Sequence, residues 1–159
     1  MDKEKQKVYT ARISQANRSE LVVIIYELML DSINLAQEAF QKEDLDLAVI
    51  ELKRAQGFLN EMRGSLDFQY EISARLNSLY RYVNEQLVQS IVCRKNTNLD
   101  SCKKVLEGLM ESFEEVAKQD TSAPVMDNTQ QVYAGLTYGK GSLNEVALDA
   151  AGSDRGFRV

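Results

Sequence analysis

The side chains that could carry out chemistry in this chain are two cysteines and several neighbouring carboxylates, and both sets lack the partners that catalysis needs. The 159 residues include no histidine. This absence removes the Ser-His triad, histidine acid–base catalysis and the histidine ligands of most zinc and di-iron sites. A cysteine nucleophile would have no histidine to activate it. We therefore expect no enzyme, no metal site and no cofactor.

Neither the cysteines nor the carboxylates form a pattern that indicates a site. Cys93 and Cys102 lie nine positions apart, at the expected end of one helix and start of the next. They could approach each other across the turn, but two cysteines without a secretory context are more often reduced thiols. Glu43-Asp44, Glu61 and Glu114-Glu115 fall at turns or polar helix positions, where a solvated face explains them.

Charge and hydropathy exclude two further classes of partner. The chain has 19 basic and 24 acidic residues, a net charge of −5, and no long basic cluster, so nucleic acid is not expected to bind. Glu27 and Asp31 interrupt the most apolar stretch, which is shorter than the roughly 20 residues that span a bilayer. The polar run 2–7 does not resemble a signal peptide. We therefore expect no nucleic-acid partner, no membrane span and no signal peptide.

The remaining sequence is organised around the stretch 21–40, which predicts an unusually apolar helix. One stripe with spacings of 4 and 3 predicts the side that faces a bundle core. Its members are Val22, Tyr26, Met29, Ile33, Ala36 and Phe40. A second apolar flank lies beside this stripe. It consists of Leu21, Ile24, Leu28, Leu35 and Ala39.

Val23 and Leu30 lie on the other side of the stripe. All of these residues together make an apolar arc of roughly 260°, whereas a surface helix usually shows a stripe of roughly 100°. Two interpretations account for the excess. The helix is either central and covered on all sides by its own chain, or it presents an apolar groove to another polypeptide.

Four amphipathic segments predict an all-α fold, an antiparallel up-down four-helix bundle that occupies residues 1–120. We place the helices at about 18–42, 45–66, 70–95 and 99–120. Asn17, Asp44 and Asn98 are the expected N-caps, with Asn17 and Glu20 in a capping box. In the third helix, Ile72, Leu76, Leu79 and Val83 are the expected core seam, with Tyr80, Leu87 and Ile91 on its flank.

The two termini differ from the bundle in composition. Residues 1–16 are polar except for Val8, Tyr9 and Ile13, which predicts a short turn or lid that rests on the apolar flank. Residues 121–159 contain Pro124 and read as a linker and C-terminal tail. A short extra helix is predicted at about 143–151, after a capping-box pattern. Either terminal segment could cover the apolar flank.

Several short motifs, in their order and spacing, resemble the FliS family of flagellin export chaperones over roughly residues 8–118. The matching residues are Tyr9, Ile13, Gln15-Ala16-Asn17-Arg18-Ser19-Glu20-Leu21, Tyr26-Glu27, Arg54-Ala55-Gln56, Ser65-Leu66-Asp67 and Leu79-Tyr80-Arg81-Tyr82. In that family the entry to the first bundle helix usually reads Thr-Ala-Ser-Pro-Gly-Glu-Leu. Here Asn17 replaces the capping serine and the helix-starting proline is lost.

The resemblance implies a cytosolic, non-enzymatic chaperone. Such a protein binds the C-terminal segment of flagellin, keeps it from polymerising and delivers it to the flagellar export apparatus. The resemblance also implies that the N-terminal segment covers part of the binding surface until flagellin displaces it. The alternative is a regulatory or structural bundle that uses its surplus apolar surface to form a homodimer or larger homo-oligomer.

The residues expected to contact the partner lie on the lid, on the apolar flank and on the third helix. They are Tyr9, Ile13, Leu21, Ile24, Leu28, Leu35, Tyr80 and Leu87.

Overall fold

The computed structural model describes residues 2–126, which form five α-helices and contain no strand. The helices are α1 Lys3–Gln15, α2 Arg18–Gln41, α3 Leu45–Gly64, α4 Glu71–Cys93 and α5 Leu99–Gln119. The predicted all-α class is confirmed. The bounds predicted for the four longer helices lie within two residues of those observed for α2 to α5. The helix predicted at 143–151 lies outside the described residues, and the division into a bundle and a tail stays a prediction.

A capping box fixes the start of α2. The Glu20 backbone N–H donates to Asn17 Oδ1 at 2.9 Å, and the Asn17 N–H donates to Glu20 Oε2 at 3.0 Å. Two of the backbone donors that a helix start leaves unpaired are thereby satisfied. At the start of α3, the Leu47 N–H donates to Asp44 Oδ1 at 3.1 Å. Both predicted caps are observed.

The cap predicted at Asn98 is wrong. This residue adopts a left-handed backbone conformation with φ of 56°, and its side chain does not bond the first turn of α5. The Asn98 Nδ2 donates instead to Gln86 Oε1 of α4 at 2.8 Å. The side chain therefore ties the start of α5 to α4, and the next residue, Leu99, is fully buried.

Helix α2 lies at the centre of the main core. It packs against α1, α3 and α5, while α4 packs against α3 and α5. Of the predicted stripe, Tyr26, Met29, Ile33 and Ala36 are buried in the main core, and the two end residues, Val22 and Phe40, pack against it. None of the five helices described is long and apolar enough to cross a bilayer.

The side of α4 that faces the core differs from the prediction. Ile72 and Leu79 were expected in the seam but are exposed. Tyr80 and Leu87, expected on the flank, lie in the main core. Both candidate stripes contain Leu76 and Val83, and they differ in whether they continue through Ile72 and Leu79 or through Tyr80 and Leu87. Periodicity alone could not choose between them.

The N-terminal segment predicted as a short turn or lid is a helix of 13 residues, α1. The apolar side of α1 is narrow. Only Tyr9 and Ile13 of this helix pack against a small buried apolar cluster, and Ala16, the residue that follows α1, belongs to that cluster. The spacing of these three residues is 4 and 3, which is the helical period. Val8, also counted as an anchor, is 56% exposed.

A hydrogen bond between two tyrosines links α2 to α4 inside the main core. Both Tyr26 and Tyr80 are fully buried, and their hydroxyl oxygens lie 2.5 Å apart. Burial raises the pKa of both phenols, so each stays protonated at neutral pH. Each hydroxyl satisfies the other in a region where an unpaired polar group is costly.

Replacing one of these tyrosines should destabilise the protein. We expect Tyr80→Phe to lower the free energy of unfolding by about 1–3 kcal/mol, because the hydroxyl of Tyr26 would stay buried without a partner. The double variant Tyr26→Phe/Tyr80→Phe should lose less than the sum of the two single variants. Urea unfolding measures the free energy of unfolding of the two single variants and of the double variant. Strictly additive losses would contradict the pairing.

Candidate partner-binding site

A second, smaller apolar cluster lies where α1 packs on the flank of α2. Its buried members are Ala16, Ile24 and Leu28, of which Ile24 is 2% and Leu28 is 8% exposed. The residues packed around them are Tyr9, Ile13, Leu21 and Phe58. The structure thus brings together five of the eight residues predicted to contact a partner. Helix α1 covers the apolar flank that the sequence showed in excess.

The burial of Ile24 and Leu28 depends on α1. Both belong to the second cluster and not to the main core, and their partly buried neighbours Tyr9 and Ile13 are on α1. Phe58 of α3 packs against both clusters and forms the boundary between them. If α1 moved away, a strip of apolar surface along α2 beside Phe58 would meet water.

Polar contacts hold the outer side of α1 on α2. The guanidinium of Arg12 forms two bonds with Glu27, of which Nη2 to Oε1 is 2.8 Å long. Lys5 Nζ lies 3.3 Å from Asp31 Oδ2, and the Tyr9 hydroxyl donates to the same oxygen at 3.1 Å. The partners run in opposite order along the two helices, so α1 and α2 are antiparallel here.

These polar contacts are accessible to solvent and weak. The side chains of Lys5 and Arg12 are 61% and 43% exposed. Exposed ion pairs typically contribute about 0.2–1 kcal/mol each. A helix of 13 residues is also marginal on its own in water. We infer that α1 is the least strongly held of the five helices described.

The environment of Tyr9 keeps its phenol neutral. Burial and then the charge of Asp31 raise the pKa of Tyr9 to about 12. The hydrogen bonds from Arg12 to Glu27 raise the pKa of the guanidinium above its ordinary value. At neutral pH the phenol therefore donates to Asp31 while Arg12 stays charged above the tyrosine ring, 5.7 Å from its centroid. Neither Tyr9 nor Arg12 changes its charge near neutral pH.

The other three predicted residues lie apart from the second cluster. Leu35 is half-buried beside a polar pocket whose lining includes Lys5 and Asp31, at the N-terminal end of α1. Tyr80 and Leu87 are 0% and 1% exposed in the main core. In this arrangement Leu87 has no surface to offer a partner, whereas Tyr80 reaches the wall of the cavity described next.

A cavity of about 560 Å³ opens beside the second cluster and was not predicted. Leu21 belongs to both, and the cavity extends between α2, α3, α4 and α5. Its apolar lining is Leu21, Val22, Ile25, Met62, Leu66, Leu76 and Phe113. The lining also includes three charged residues, Arg18, Glu61 and Asp67. Two exposed aromatic residues, Phe68 and Tyr70, follow Asp67 in the sequence. The apolar flank of α2 is therefore continuous with a partly open pocket.

Sequence reasoning found Tyr9 as an anchor of the N-terminal segment but missed the two basic residues that attach α1. Lys5, Tyr9 and Arg12 share one side of α1, at spacings of 4 and 3, and they meet Glu27 and Asp31, four apart on α2. The two carboxylates had entered only as interruptions of the apolar stretch. The helical spacing within each set was the available signal.

The two cysteines do not form a disulfide with each other. Both are free, with Cys93 exposed and Cys102 buried. Burial raises the pKa of the Cys102 thiol to about 11, so it stays protonated at neutral pH. In residues 2–126, no three histidine, cysteine or carboxylate side chains are grouped in a way that could hold a metal ion.

Comparison with known proteins identifies the family. Residues 1–120 match the family model described as Flagellar protein FliS. The chain belongs to the FliS family. A relative from Bacillus subtilis (strain 168), named Flagellar secretion chaperone FliS, is 28% identical over 118 residues, which cover 72% of this chain and 86% of the relative. FliS is a family of flagellar chaperones and not of enzymes, which confirms both the resemblance and the expectation of a non-enzymatic protein.

A single substitution should loosen α1 without unfolding the rest of the protein. We expect Ile13→Ala to increase the rate of trypsin cleavage after Lys7 several-fold, because Ile13 packs in the second cluster. Val8→Ala is the matched control, since Val8 is on the same helix and exposed. The thermal midpoint of the bundle should change little in either variant. Equal cleavage of both variants would show that the cluster does not hold α1.

Proposed function

We propose that this chain is a cytosolic, flagellin-specific export chaperone. It binds the C-terminal segment of flagellin, prevents premature polymerisation and assists delivery to the flagellar export apparatus. Membership of the FliS family and the name of the Bacillus subtilis relative support this role. The observation that carries the proposal is the weakly held helix α1 lying on the apolar flank of α2.

In this proposal flagellin takes the place of α1. Leu21, Ile24 and Leu28 form the strip that the client covers, with Phe58 at its edge. Burying apolar side chains against this strip favours the complex by roughly 25 cal/mol per Å² removed from water. An amphipathic helix laid in an apolar groove is an established way for one protein to recognise a segment of another. The antiparallel bundle of α2 to α5 would remain as the rigid frame.

The cavity beside Leu21 gives the client a second place to anchor. A segment on the α2 strip that continues past Leu21 would reach the apolar lining at Val22 and Phe113. A client that is disordered beforehand must be ordered on binding, which opposes part of the gain from burial. The resulting complex can dissociate when the client is handed to the export apparatus.

Removing α1 should strengthen client binding. We expect a variant without residues 1–14, which keeps the Asn17 cap, to bind a flagellin C-terminal peptide about tenfold more tightly than the full chain, because an intramolecular competitor is lost. Isothermal titration calorimetry measures the affinity, and circular dichroism checks that the bundle persists. Equal affinity would mean that α1 does not cover the binding surface.

Point substitutions in the truncated chain should separate binding from folding. Leu28→Asp should weaken the binding of the peptide by at least about tenfold. It should leave cooperative unfolding intact, because Leu28 is outside the main core. Met29→Asp, on the core stripe, should damage folding itself. Val88→Asp, an exposed position on α4, is the control that should change neither. If Leu28→Asp and Met29→Asp destabilised the fold equally, the flank at Leu28 would be part of the folding core and not a binding surface.

Raising the salt concentration should strengthen the binding of the flagellin peptide to the full chain. Between about 0.1 M and 1 M salt the Debye length falls from about 10 Å to about 3 Å, which weakens exposed ion pairs. The pairs of Lys5 with Asp31 and Arg12 with Glu27 hold the competing helix. We expect the peptide affinity of the full chain to rise up to about threefold relative to that of the chain without residues 1–14. An equal response of both chains would contradict a role for these pairs.

Exposed apolar side chains on α3 and α4 favour the alternative of homo-oligomerisation. Ile50 and Val92 are 55% and 74% exposed. Light scattering after size exclusion, with and without the flagellin peptide, separates the two functions. A stable dimer that does not respond to the peptide would favour the alternative.

A further inference from the structure

The chain that follows α5 returns to the connection between α1 and α2 and bonds to it. The Asp120 carbonyl accepts from Asn17 Nδ2 at 3.1 Å, and Asp120 Oδ2 accepts from the Ser19 hydroxyl at 2.5 Å. The Val125 N–H donates to the Ala16 carbonyl at 3.0 Å. We call residues 120–125 the clasp. Its last bond, from Val125, lies beyond the residues that match the family model.

The residues that the clasp bonds are those at which α1 would pivot. Ala16 follows the last residue of α1 with an extended backbone, and it is also buried in the second cluster. Asn17 is the N-cap of α2. For α1 to leave the flank of α2, the backbone at Ala16 must reorient, which would strain or break the bond from Val125.

A hydrogen bond within the clasp fixes its first three residues. The Ser122 N–H donates to Asp120 Oδ1 at 2.9 Å, so both carboxylate oxygens of Asp120 accept a bond. Hydrogen bonds from Ser122 and then from Ser19 lower the pKa of Asp120 to about 2. The carboxylate is charged at neutral pH, and charged acceptors form stronger hydrogen bonds than neutral ones.

We propose that the clasp holds the pivot of α1 closed and thereby sets how often α1 leaves the apolar flank of α2. The bonds from Asn17 and Ser19 to Asp120 anchor the clasp on the start of α2, and the bond from Val125 then holds Ala16, the residue that joins α1 to α2. Helix α1 is otherwise attached only by exposed ion pairs and a small apolar cluster. The control of client access that follows from this rests on the proposed function. The clasp itself does not, because the opening of α1 can be measured without a client.

Amide hydrogen exchange of the full chain measures that opening directly. Val125→Pro removes the N–H that bonds Ala16, and Val125→Ala is the matched control that keeps it. We expect the amides of α1 to exchange about 3- to 10-fold faster in Val125→Pro than in Val125→Ala, as the loss of one hydrogen bond predicts. The amides of α4 should exchange at the same rate in both.

A second pair of variants tests the other end of the clasp. Ser19→Ala removes the hydroxyl that bonds Asp120, whereas Thr121→Ala changes an exposed side chain of the clasp and is the control. Faster α1 exchange in Ser19→Ala than in Thr121→Ala would support the clasp. Unchanged α1 exchange in Ser19→Ala and in Val125→Pro, each against its control, would overturn it.

Binding of a flagellin C-terminal peptide to the same variants separates the clasp from the proposed function. Faster association with Val125→Pro than with Val125→Ala would support control of client access. Faster α1 exchange with no peptide binding to any variant would support the clasp and overturn the proposed function.

Discussion

The constraint on which the rest of this structure depends is that α2 is apolar on almost every side and must be covered almost completely. Helices α3 and α5 cover the stripe that includes Tyr26 and Ile33, and α1 covers the flank at Ile24 and Leu28. If α2 had the narrow stripe of an ordinary surface helix, α1 would have nothing apolar to pack on. The width of the apolar arc therefore determines that the N-terminal segment becomes a packed helix.

The two covers of α2 differ in strength. The main core contains large, fully buried side chains from four helices and a buried bond between two tyrosines. The second cluster has three buried residues, one of which is an alanine. Full burial of a leucine or isoleucine side chain contributes about 1.5–3 kcal/mol, and part of that gain is opposed by the entropy lost on ordering α1. The cover provided by α1 is therefore the weaker of the two.

The sequence allowed prediction of features that depend on residues close together in the chain. The Asn17 capping box, the Asp44 cap and the stripe of α2 each involve spacings of three or four, and the structure contains all of them. The all-α class follows from the same periodicity. Leu21, Ile24 and Leu28 were placed correctly on one flank for this reason.

Features that depend on distant residues could not be predicted in this way. The side of α4 that faces the core depends on which of two apolar stripes meets Tyr26. The bond between Val125 and Ala16 joins residues that are more than one hundred positions apart, and it uses backbone atoms that every residue type carries. The attachment of α1 through Glu27 and Asp31 required knowing that the two helices are antiparallel.

A tethered cover must be weak enough to be displaced and strong enough to prevent aggregation, and simple arithmetic shows that α1 can satisfy both conditions. A short tether gives an effective concentration of about 1 mM. If the contacts of α1 alone correspond to a dissociation constant of about 0.1 mM, the closed state exceeds the open state by about tenfold. A client then binds about tenfold more weakly than it would to the bare flank, a difference of about 1.4 kcal/mol. Full burial of one leucine or isoleucine of a client slightly exceeds that amount, and two or three such side chains exceed it clearly. Under the proposed function, a weak intramolecular helix would therefore favour clients that bury several apolar residues on α2 at once.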